Sequence, residues 1–353
     1  MALLPARPDR RRHPEVPADQ PGAEVCRRVR PPRVVVTGAT GFVGSAVTAA
    51  LFGPGPRPAA AEPHTVRVIG RRPPSGLPSH AEWVPGDLAS PATLDGCCDG
   101  AQVLLHLACS LSSDEEEAHA VNVTGTAALM AEASRAGVRR IIHLSTAAVY
   151  GQGPHDGLDV DEVEPAPVST ASRTRLAGER HALSAGATVL RAPLILGPGD
   201  RWVVPALAEL LTRVPALWDG GRARLSVIDV HDLARLVVGL ALVEPAPPAA
   251  RILHAGHPAP VTSGELLTAL AELDVLPPVS GPLDWDACLR RLHETPGRIS
   301  ERQFTLLARD HWYRSDAVWR AAACPPGPGP LARLPRAAYF YRETVGAAGQ
   351  GEG

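Results

Sequence analysis

The chain has 353 residues, 35 of them basic and 37 acidic, so its formal net charge is −2. A balance this close to zero provides no global field for nucleic acid or an anionic membrane surface, and we expect neither as a partner. No apolar run reaches the ~18 residues that a membrane-spanning helix requires. The cysteines form no Cys-x-x-Cys pair and no zinc-ligand spacing, so we predict no metal site. Without a recognisable secretory signal, the expected location is the cytoplasm.

The sequence contains no lysine, and its tyrosines are Tyr150, Tyr313, Tyr339 and Tyr341. Every basic side chain is therefore arginine or histidine, and no lysine can take part in catalysis. Abundant Ala, Pro, Arg and Gly beside absent Lys is typical of a GC-rich bacterial genome.

Regular structure is predicted from residue 33 onwards. Residues 1–32 are rich in Pro and Arg and show no apolar period, so we predict a disordered tail there, and a second one over residues 346–353. Residues 34–36 are all valine, which is typical of a parallel strand buried on both faces. A glycine-rich turn and a helix over residues 45–51 follow.

Strands and helices then alternate along the chain. Further strands are predicted over residues 65–69, 81–84, 103–107, 140–144 and 188–191, and helices over residues 115–136 and 169–184. This alternation predicts the α/β class, with a Rossmann-type doubly wound parallel sheet over residues 33–195. Residues 196–345 are predicted to form a smaller, mostly helical substrate domain.

The turn after the first strand carries three glycines, Gly38, Gly41 and Gly44, at a spacing of three residues. The first permits a tight turn, the second lets backbone N–H groups approach a pyrophosphate, and the third lets the helix pack against the strand. The helix N-terminus then presents the positive end of its dipole to the phosphates. A strand, a glycine turn and a helix in this order predict a dinucleotide site.

The end of the second strand favours NADP over NAD. An NAD site normally places a carboxylate there, which binds the ribose hydroxyls. This strand runs instead into Arg71 and Arg72, whose guanidinium groups suit a 2′-phosphate. NADP is therefore the predicted cofactor and NAD the less favoured one. The alternative interpretation is a pair of solvated loop arginines.

Seven motifs, in order along the chain, resemble those of the extended short-chain dehydrogenase/reductases, also called the NAD-dependent epimerase/dehydratase family. They are TGATGFVG at 37–44, PGDL at 85–88, HLA at 106–108, NVTGT at 122–126, STAAVYG at 145–151, LRAP to GPG over 190–199, and VHDLA at 230–234. The resemblance implies a Rossmann-type cofactor domain to which a segment at about residues 225–243 returns. It also implies a homodimer, packed through the helices over 115–136 and 169–184.

The resemblance further implies which residues surround the ligands, with Asp87 at the adenine and Arg71 and Arg72 at the 2′-phosphate. The predicted cofactor residues are Gly38, Thr40, Gly41, Phe42, Val43, Gly44, Arg71, Arg72, Asp87, Leu88, Leu107, Ala108, Cys109, Asn122, Leu144, Arg175 and Pro193. The predicted substrate residues are Cys109, Ser110, Ala147, Ala148, Ala171, Leu194 and Trp202.

The catalytic residues are where this chain departs from the family. Thr146 falls where the family keeps the Ser or Thr that hydrogen-bonds the substrate oxygen, but Ala171 and Arg175 replace the Tyr and Lys that follow. That tyrosine ordinarily transfers a proton, which contributes about 10²–10⁴-fold to the rate. Arginine keeps the positive charge but is a poor acid, so Thr146 and Arg175 are the predicted catalytic residues. A water or a nearby side chain would supply the proton, the candidates being Cys109, Ser169, Thr170 and Ser172.

Three functions fit these residues. The first is an NAD(P)-dependent reductase or dehydrogenase of a sugar-like or hydroxylated metabolite in bacterial secondary metabolism. The second is a redox-neutral epimerase, lyase or cyclase, and the third is a catalytically silent NADP-binding partner or sensor.

Dehydration of a nucleotide sugar is not expected, because Ala147 and Ala148 replace the Asp-Glu pair of those enzymes. The arginine that holds a sugar diphosphate in the family is also missing, since its position falls at Leu225, although Arg222 and Arg224 lie nearby.

Overall fold

The structure, a computed structural model, describes residues 33–53, 64–249 and 251–350. Its strands are β1 Arg33–Thr37, β2 Thr65–Gly70, β3 Glu82–Pro85, β4 Val103–His106, β5 Arg140–Thr146, β6 His155–Leu158, β7 Thr188–Ala192, β8 Leu194–Leu196, β9 Leu217–Trp218, β10 Arg224–Leu225, β11 Val227–Asp229, β12 Arg251–His254, β13 Val261–Thr262, β14 Pro282–Leu283 and β15 His311–Tyr313. Its α-helices are α1 Phe42–Phe52, α2 Glu115–His119, α3 Thr126–Arg135, α4 Thr170–Ser184, α5 Val203–Arg213, α6 Val230–Leu242, α7 Ser263–Glu272, α8 Trp285–Glu294, α9 Glu301–Ala308, α10 Asp316–Ala321 and α11 Pro330–Gln350. The tail predicted over residues 1–32 lies outside the described residues.

Seven parallel strands form the central sheet, in the order β12-β7-β5-β4-β1-β2-β3. The strand order reverses beside β1, because β2 and β3 extend to one side while β4, β5, β7 and β12 extend to the other. Thr37 at the end of β1 lies opposite both Ile69 of β2 and His106 of β4. Ligands of doubly wound sheets bind at the carboxyl ends of the strands, at such a reversal. The predicted α/β Rossmann-type class is confirmed.

Strand β12 was missed in the sequence analysis. Its four residues begin with Arg251 and end with His254, so it lacks the β-branched run that marks β1. It follows a proline-rich stretch and pairs in parallel with β7 at the edge of the sheet. Pairing with a neighbour far away in sequence, rather than local propensity, makes it a strand.

Helices cover both faces of the sheet. On one face, α1 and α6 share a core with Val34 and Val36 of β1. On the other, α3 and α4 pack with Val35 of β1 in a second core. The alternation of the two sets along β1 follows from the strand period of two. Helix α6 lies within the 225–243 segment, and it packs on the sheet that carries the glycine turn.

The helix predicted over 115–136 is a continuous helical run that widens in its middle. Helices α2 and α3 flank a π-helical turn over Ala120–Gly125. A Cβ on Gly125 would lie 2.3 Å from the carbonyl oxygen of Leu88, and one on Gly178 of α4 would lie 2.3 Å from that of Asn122. The widened turn is therefore packed closely on both sides, and it carries Asn122.

A further core lies beyond residue 195, around helices α5, α7, α8, α9 and α11. This region is mostly helical, as predicted, but it also contributes strands to a four-stranded sheet of order β13-β10-β15-β6. Helix α11 continues to Gln350, whereas the sequence predicted a disordered tail from residue 346 onwards. Within the described ranges no helix is both long enough and apolar enough to cross a membrane.

Candidate functional site

The backbone around the glycine turn leaves no room for a side chain at Gly38 or Gly44. Gly38 has φ +74°, and a Cβ on it would lie 2.6 Å from the backbone nitrogen of Ala108 on the neighbouring loop. A Cβ on Gly44 would lie 1.9 Å from the carbonyl oxygen of Gly38. Helix α1 starts at the turn with Gly41 as its N-cap, and no side chain caps it. Its first backbone N–H groups are therefore left for another acceptor.

A cavity of about 1390 Å³ opens over this turn, at the carboxyl ends of β1, β4 and β5. Of the predicted cofactor residues, all except Asn122 line it. Several other residues of its wall were not among the predicted site residues, among them Ile69, Pro73, Ser75, Gly86, Val121, Ser145, Ala192 and Ile195. A cavity of this size can hold a dinucleotide together with a second ligand.

Asn122 lies behind the wall and supports it. Its side-chain oxygen accepts from the backbone nitrogen of Ser110 at 2.8 Å, and its nitrogen donates to the carbonyl oxygen of Ser110 at 2.9 Å. The same amide donates to Thr174 of α4 at 2.9 Å. Asn122 therefore joins the loop after β4 to helix α4.

At the far end of β2, Arg71 and Arg72 are exposed and line the cavity. Neither forms an ion pair within the part of the chain that the structure describes. The hydroxyl of Ser75 lines the same part of the wall. Asp87 lies after β3 and accepts from the backbone nitrogen of Ala89 at 3.0 Å through one carboxylate oxygen. Two uncommitted guanidinium groups suit an additional phosphate.

Thr146 and Arg175 line the opposite part of the cavity. The Thr146 hydroxyl oxygen accepts from the backbone nitrogen of Ala148 at 3.1 Å, which leaves its O–H free to donate. Arg175 donates to the carbonyl oxygen of Leu144 at 3.2 Å. Thr146 and Leu144 are both on β5, so the hydroxyl and the cation are positioned by one strand.

The hydroxyls near Ala171 are already engaged. Ser169 and Ser172 form the capping box of α4 with each other. Thr170 donates to Glu115 at 3.1 Å. Cys109, by contrast, is exposed and lines the cavity. Of the predicted proton donors, the Cys109 thiol and a water are those left with access to the cavity.

The predicted substrate residues divide into two groups. Cys109 and Ser110 line the cavity. The others lie outside its wall, and these are Ala147, Ala148, Ala171, Leu194 and Trp202. Trp202 is 39 % exposed and caps the start of α5.

A buried polar network behind Thr146 was not predicted. Ser145 donates to Glu179 of α4. Glu179 pairs with Arg191 of β7 at 2.7 Å, and Arg191 donates to the hydroxyl of Tyr150 at 2.9 Å. That hydroxyl also bonds Nε2 of His254 at 2.6 Å. The only sequence signal for it was the position of Glu179 four residues after Arg175.

Two buried histidines lie beneath Arg175. His106 bonds the hydroxyls of Thr37 at 2.8 Å and Thr126 at 3.0 Å. Burial, with Arg175 nearby, lowers the pKa of His106 to about 4. His143 has its ring centroid 4.9 Å from that of His106, and neither of its nitrogens has a hydrogen-bond partner in the described structure. Burial holds the pKa of His143 well below its usual range.

The residues at the glycine turn and after β2 fit a dinucleotide. Gly38 and Gly44 have no room for a side chain, no side chain caps the N-terminus of α1, and the arginines after β2 form no ion pair with any described residue. No metal centre is evident, because the described residues include no group of three His, Cys, Asp or Glu side chains that could hold an ion.

Comparison with known proteins agrees with the fold. The chain is 28% identical over 277 residues to a 4-hydroxy-2-methyl-3-oxo-4-farnesyl-3,4-dihydroquinoline-1-oxide ketoreductase of Stigmatella aurantiaca, which covers 74% of this chain and 79% of that protein. It is 28% identical over 293 residues to a 2-alkyl-3-oxoalkanoate reductase of Stenotrophomonas maltophilia, covering 78% of this chain and 84% of that protein.

A solved structure extends the likeness to nearly the whole fold. A short-chain dehydrogenase/reductase superfamily protein from Agrobacterium tumefaciens, with bound NAD, has a TM-score of 0.66 at 25% identity, over 91% of this chain and 100% of that one. The family model of the NAD dependent epimerase/dehydratase family matches residues 34–252. The chain therefore belongs to the NAD dependent epimerase/dehydratase family.

Proposed function

We propose that this chain is an NADP-dependent reductase of a ketone, working without the usual tyrosine. The observation that carries the proposal is the placement of Thr146 and Arg175 in one cavity with the glycine cradle. The O–H of Thr146 is available to donate to a substrate oxygen in the cavity. Arg175 adds a permanent positive charge on the same side, where negative charge develops on that oxygen during reduction.

A bound dinucleotide would supply a hydride to the carbonyl carbon. Gly38, Gly41 and Gly44 would hold its pyrophosphate and Arg175 its nicotinamide ribose, with Arg71 and Arg72 at the 2′-phosphate. The preference for NADP rests on those two arginines, which have no ion-pair partner in the described structure.

The proton must come from elsewhere, because Ala171 carries no acid and an arginine does not give up its proton near neutral pH. The cavity is open at Cys109, which is exposed. We propose that water reaching this opening protonates the product oxygen while Thr146 holds it. Proton delivery by solvent forgoes part of the about 10²–10⁴-fold that a positioned acid contributes, so a slow enzyme is expected.

The relatives support reduction over the redox-neutral alternative. Both are named as reductases of oxo compounds, whereas the sequence alone suggested a sugar-like or hydroxylated metabolite. We therefore propose a ketone as the reacting form and a hydroxylated product. We also propose a homodimer through α3 and α4, and a strict monomer in light scattering would contradict that part.

The proposal is tested by incubating the full chain with NADPH and ketones and following NADPH absorbance and alcohol formation together. Reduction with equal amounts of NADPH consumed and alcohol formed is expected, and Thr146→Ala should slow it by at least about tenfold. Product without net NADPH loss would favour a redox-neutral enzyme. Tight NADPH binding with no turnover would favour a silent partner.

A further inference from the structure

The charges that line the cavity are unevenly distributed. Arg71, Arg72 and Asp87 follow β2 and β3, on the nucleotide side of the sheet reversal. On the other side, beyond β4, the charged lining residues are Glu117 and Arg175. The rest of that wall is uncharged, from the loop after β4 that carries Leu111 to Pro193 and Ile195 after β7. Glu117 and Arg175 carry opposite charges, so this half of the wall has no net charge that would attract an anionic substrate.

Arg222 and Arg224, the two arginines nearest to Leu225, where the family keeps its diphosphate-binding arginine, already pair with carboxylates. Arg224 pairs with Asp156 at 2.5 Å, and its guanidinium lies 5.0 Å from the ring centroid of Trp312. Arg222 lies 3.5 Å from Asp219. A diphosphate would have to displace these carboxylates before it could pair with either guanidinium group.

One exposed apolar side chain lies in the substrate half of the cavity wall, and two others belong to segments that adjoin residues of the site. Among the described residues, the large hydrophobic side chains that are exposed are Leu111, Val168, Trp202 and Tyr339. Leu111 is 73 % exposed and lines the cavity itself. Val168 immediately precedes the N-cap of α4, the helix that carries Arg175. Trp202 lies three residues after Gly199, which packs on the ring of Phe42 in the cavity wall.

Polar contacts connect the segment that follows Leu111 to the segment that carries Val168. Glu115, at the start of α2, pairs with Arg173 of α4 at 2.8 Å. Arg173 also donates to the carbonyl oxygen of Val168 at 2.6 Å. These contacts join the start of α2, four residues after Leu111, to the segment that carries Val168. Exposed apolar side chains on adjoining segments are typical of ligand-binding surfaces.

We propose that the substrate is a neutral ketone with an extended apolar chain, which lies over Leu111 and Val168 and extends towards Trp202. This inference rests on the proposed function, because it names the substrate class of the same cavity. Nucleotide sugars and other anionic substrates are disfavoured, because the substrate half of the wall has no net positive charge and because Arg222 and Arg224 already pair with carboxylates. Burial of apolar chain in the mouth should strengthen binding about threefold to fourfold for each methylene that is covered.

The test is calorimetric titration of the NADPH-loaded full chain with 2-alkanones from 2-pentanone to 2-undecanone, and with UDP-glucose, beside an assay of NADPH oxidation. We expect affinity to rise with chain length and UDP-glucose to bind at least about a hundredfold more weakly than the longest ketone. Leu111→Ser should flatten the rise, whereas Tyr339→Ser, an equally exposed site on α11, should leave it unchanged.

Each outcome separates the substrate class from the reaction. Affinity that rises with chain length supports an apolar substrate, whether or not NADPH is oxidised. If affinity rises but no NADPH is oxidised, the result counts against the proposed reductase activity and not against the substrate class. Affinity that is independent of chain length, or tighter binding of UDP-glucose, would overturn the apolar class even if ketones are reduced.

Discussion

Arg175 donates a hydrogen bond to the carbonyl oxygen of Leu144 over 3.2 Å, which ties a cation on α4 to the strand that ends in Thr146. If Arg175 replaces the family's lysine in holding the ribose, Arg175→Ala should weaken NADPH binding about tenfold or more, since hydrogen bonds to charged groups contribute about 1.5–3 kcal/mol. Arg175→Lys should recover most of the affinity. Fluorescence titration of NADPH measures both.

Arg173 is the matched control, because it lies two residues earlier on α4 and pairs with Glu115 at the surface. Arg173→Ala should leave NADPH affinity unchanged. If Arg173→Ala and Arg175→Ala weaken binding equally, the effect belongs to the helix and not to a ribose contact.

The glycine cradle predicts a sharp steric effect. In Gly44→Ala the new Cβ would lie 1.9 Å from the oxygen of Gly38, so the turn must open. We expect NADPH binding to be lost and the melting temperature to fall. Gly281→Ala is the control, because its Cβ would meet nothing within 4 Å. An unaltered dissociation constant for Gly44→Ala would contradict the cradle.

The arginines after β2 predict the cofactor preference. Arg71→Ala should reduce affinity for NADP by about tenfold and leave affinity for NAD unchanged, because one charge-assisted contact to the 2′-phosphate is lost. Adding Arg72→Ala should bring the two affinities close together. Arg222→Ala, at a surface pair with Asp219, serves as the control. Equal affinities of the unaltered chain for NADP and NAD would refute the arginine interpretation.

Buried histidines predict that acid destabilises the fold. Burial lowers the pKa of both His106 and His254 to about 4. The unfolded chain therefore binds more protons as the pH falls from about 6.5 towards 4, and stability is lost over that window. Each residue should contribute a loss of about 2 kcal/mol in the free energy of unfolding between pH 7 and pH 5.

Denaturant unfolding at the two pH values measures this loss. His254→Gln should make the pH dependence shallower, whereas His293→Gln should not, because His293 is exposed beside Glu301. A free energy of unfolding that is the same at pH 7 and pH 5 would contradict the buried neutral state of these rings.

The sequence alone predicted those features that depend on local sterics. Gly38 and Gly44 are required wherever a strand turns tightly into a helix over a phosphate, so their spacing indicates the fold and the cavity together. Arg71 and Arg72 were predicted from their position at the end of a strand, and Thr146 from the resemblance to the family; all three line the cavity.

Features that depend on long-range packing were not predictable. The partners of the Tyr150 hydroxyl are Arg191 and His254, which are 41 and 104 residues away in sequence. Strand β12 and the network through Ser145 and Glu179 were missed for the same reason, because their partners are also distant in sequence. The compensation of Arg224 by Asp156 also required the pairing of β6 with β15 beside it. A sequence pattern contains no information on which distant charges meet.

The proposed ketone reduction is tested most directly by measuring hydride transfer by the unaltered chain, with Ala171 and Arg175 in place. Full-length protein is incubated with NADPH deuterated at the transferable C4 position and a long-chain 2-alkanone, and the alcohol is analysed by mass spectrometry. We predict that one deuterium appears in each alcohol, that one NADPH is consumed for each alcohol formed, and that Thr146→Ala lowers the rate at least about tenfold. If NADPH-saturated protein leaves the ketone unreduced, and reduction appears only in the double variant Ala171→Tyr with Arg175→Lys, the proposed reductase activity of the unaltered chain is contradicted.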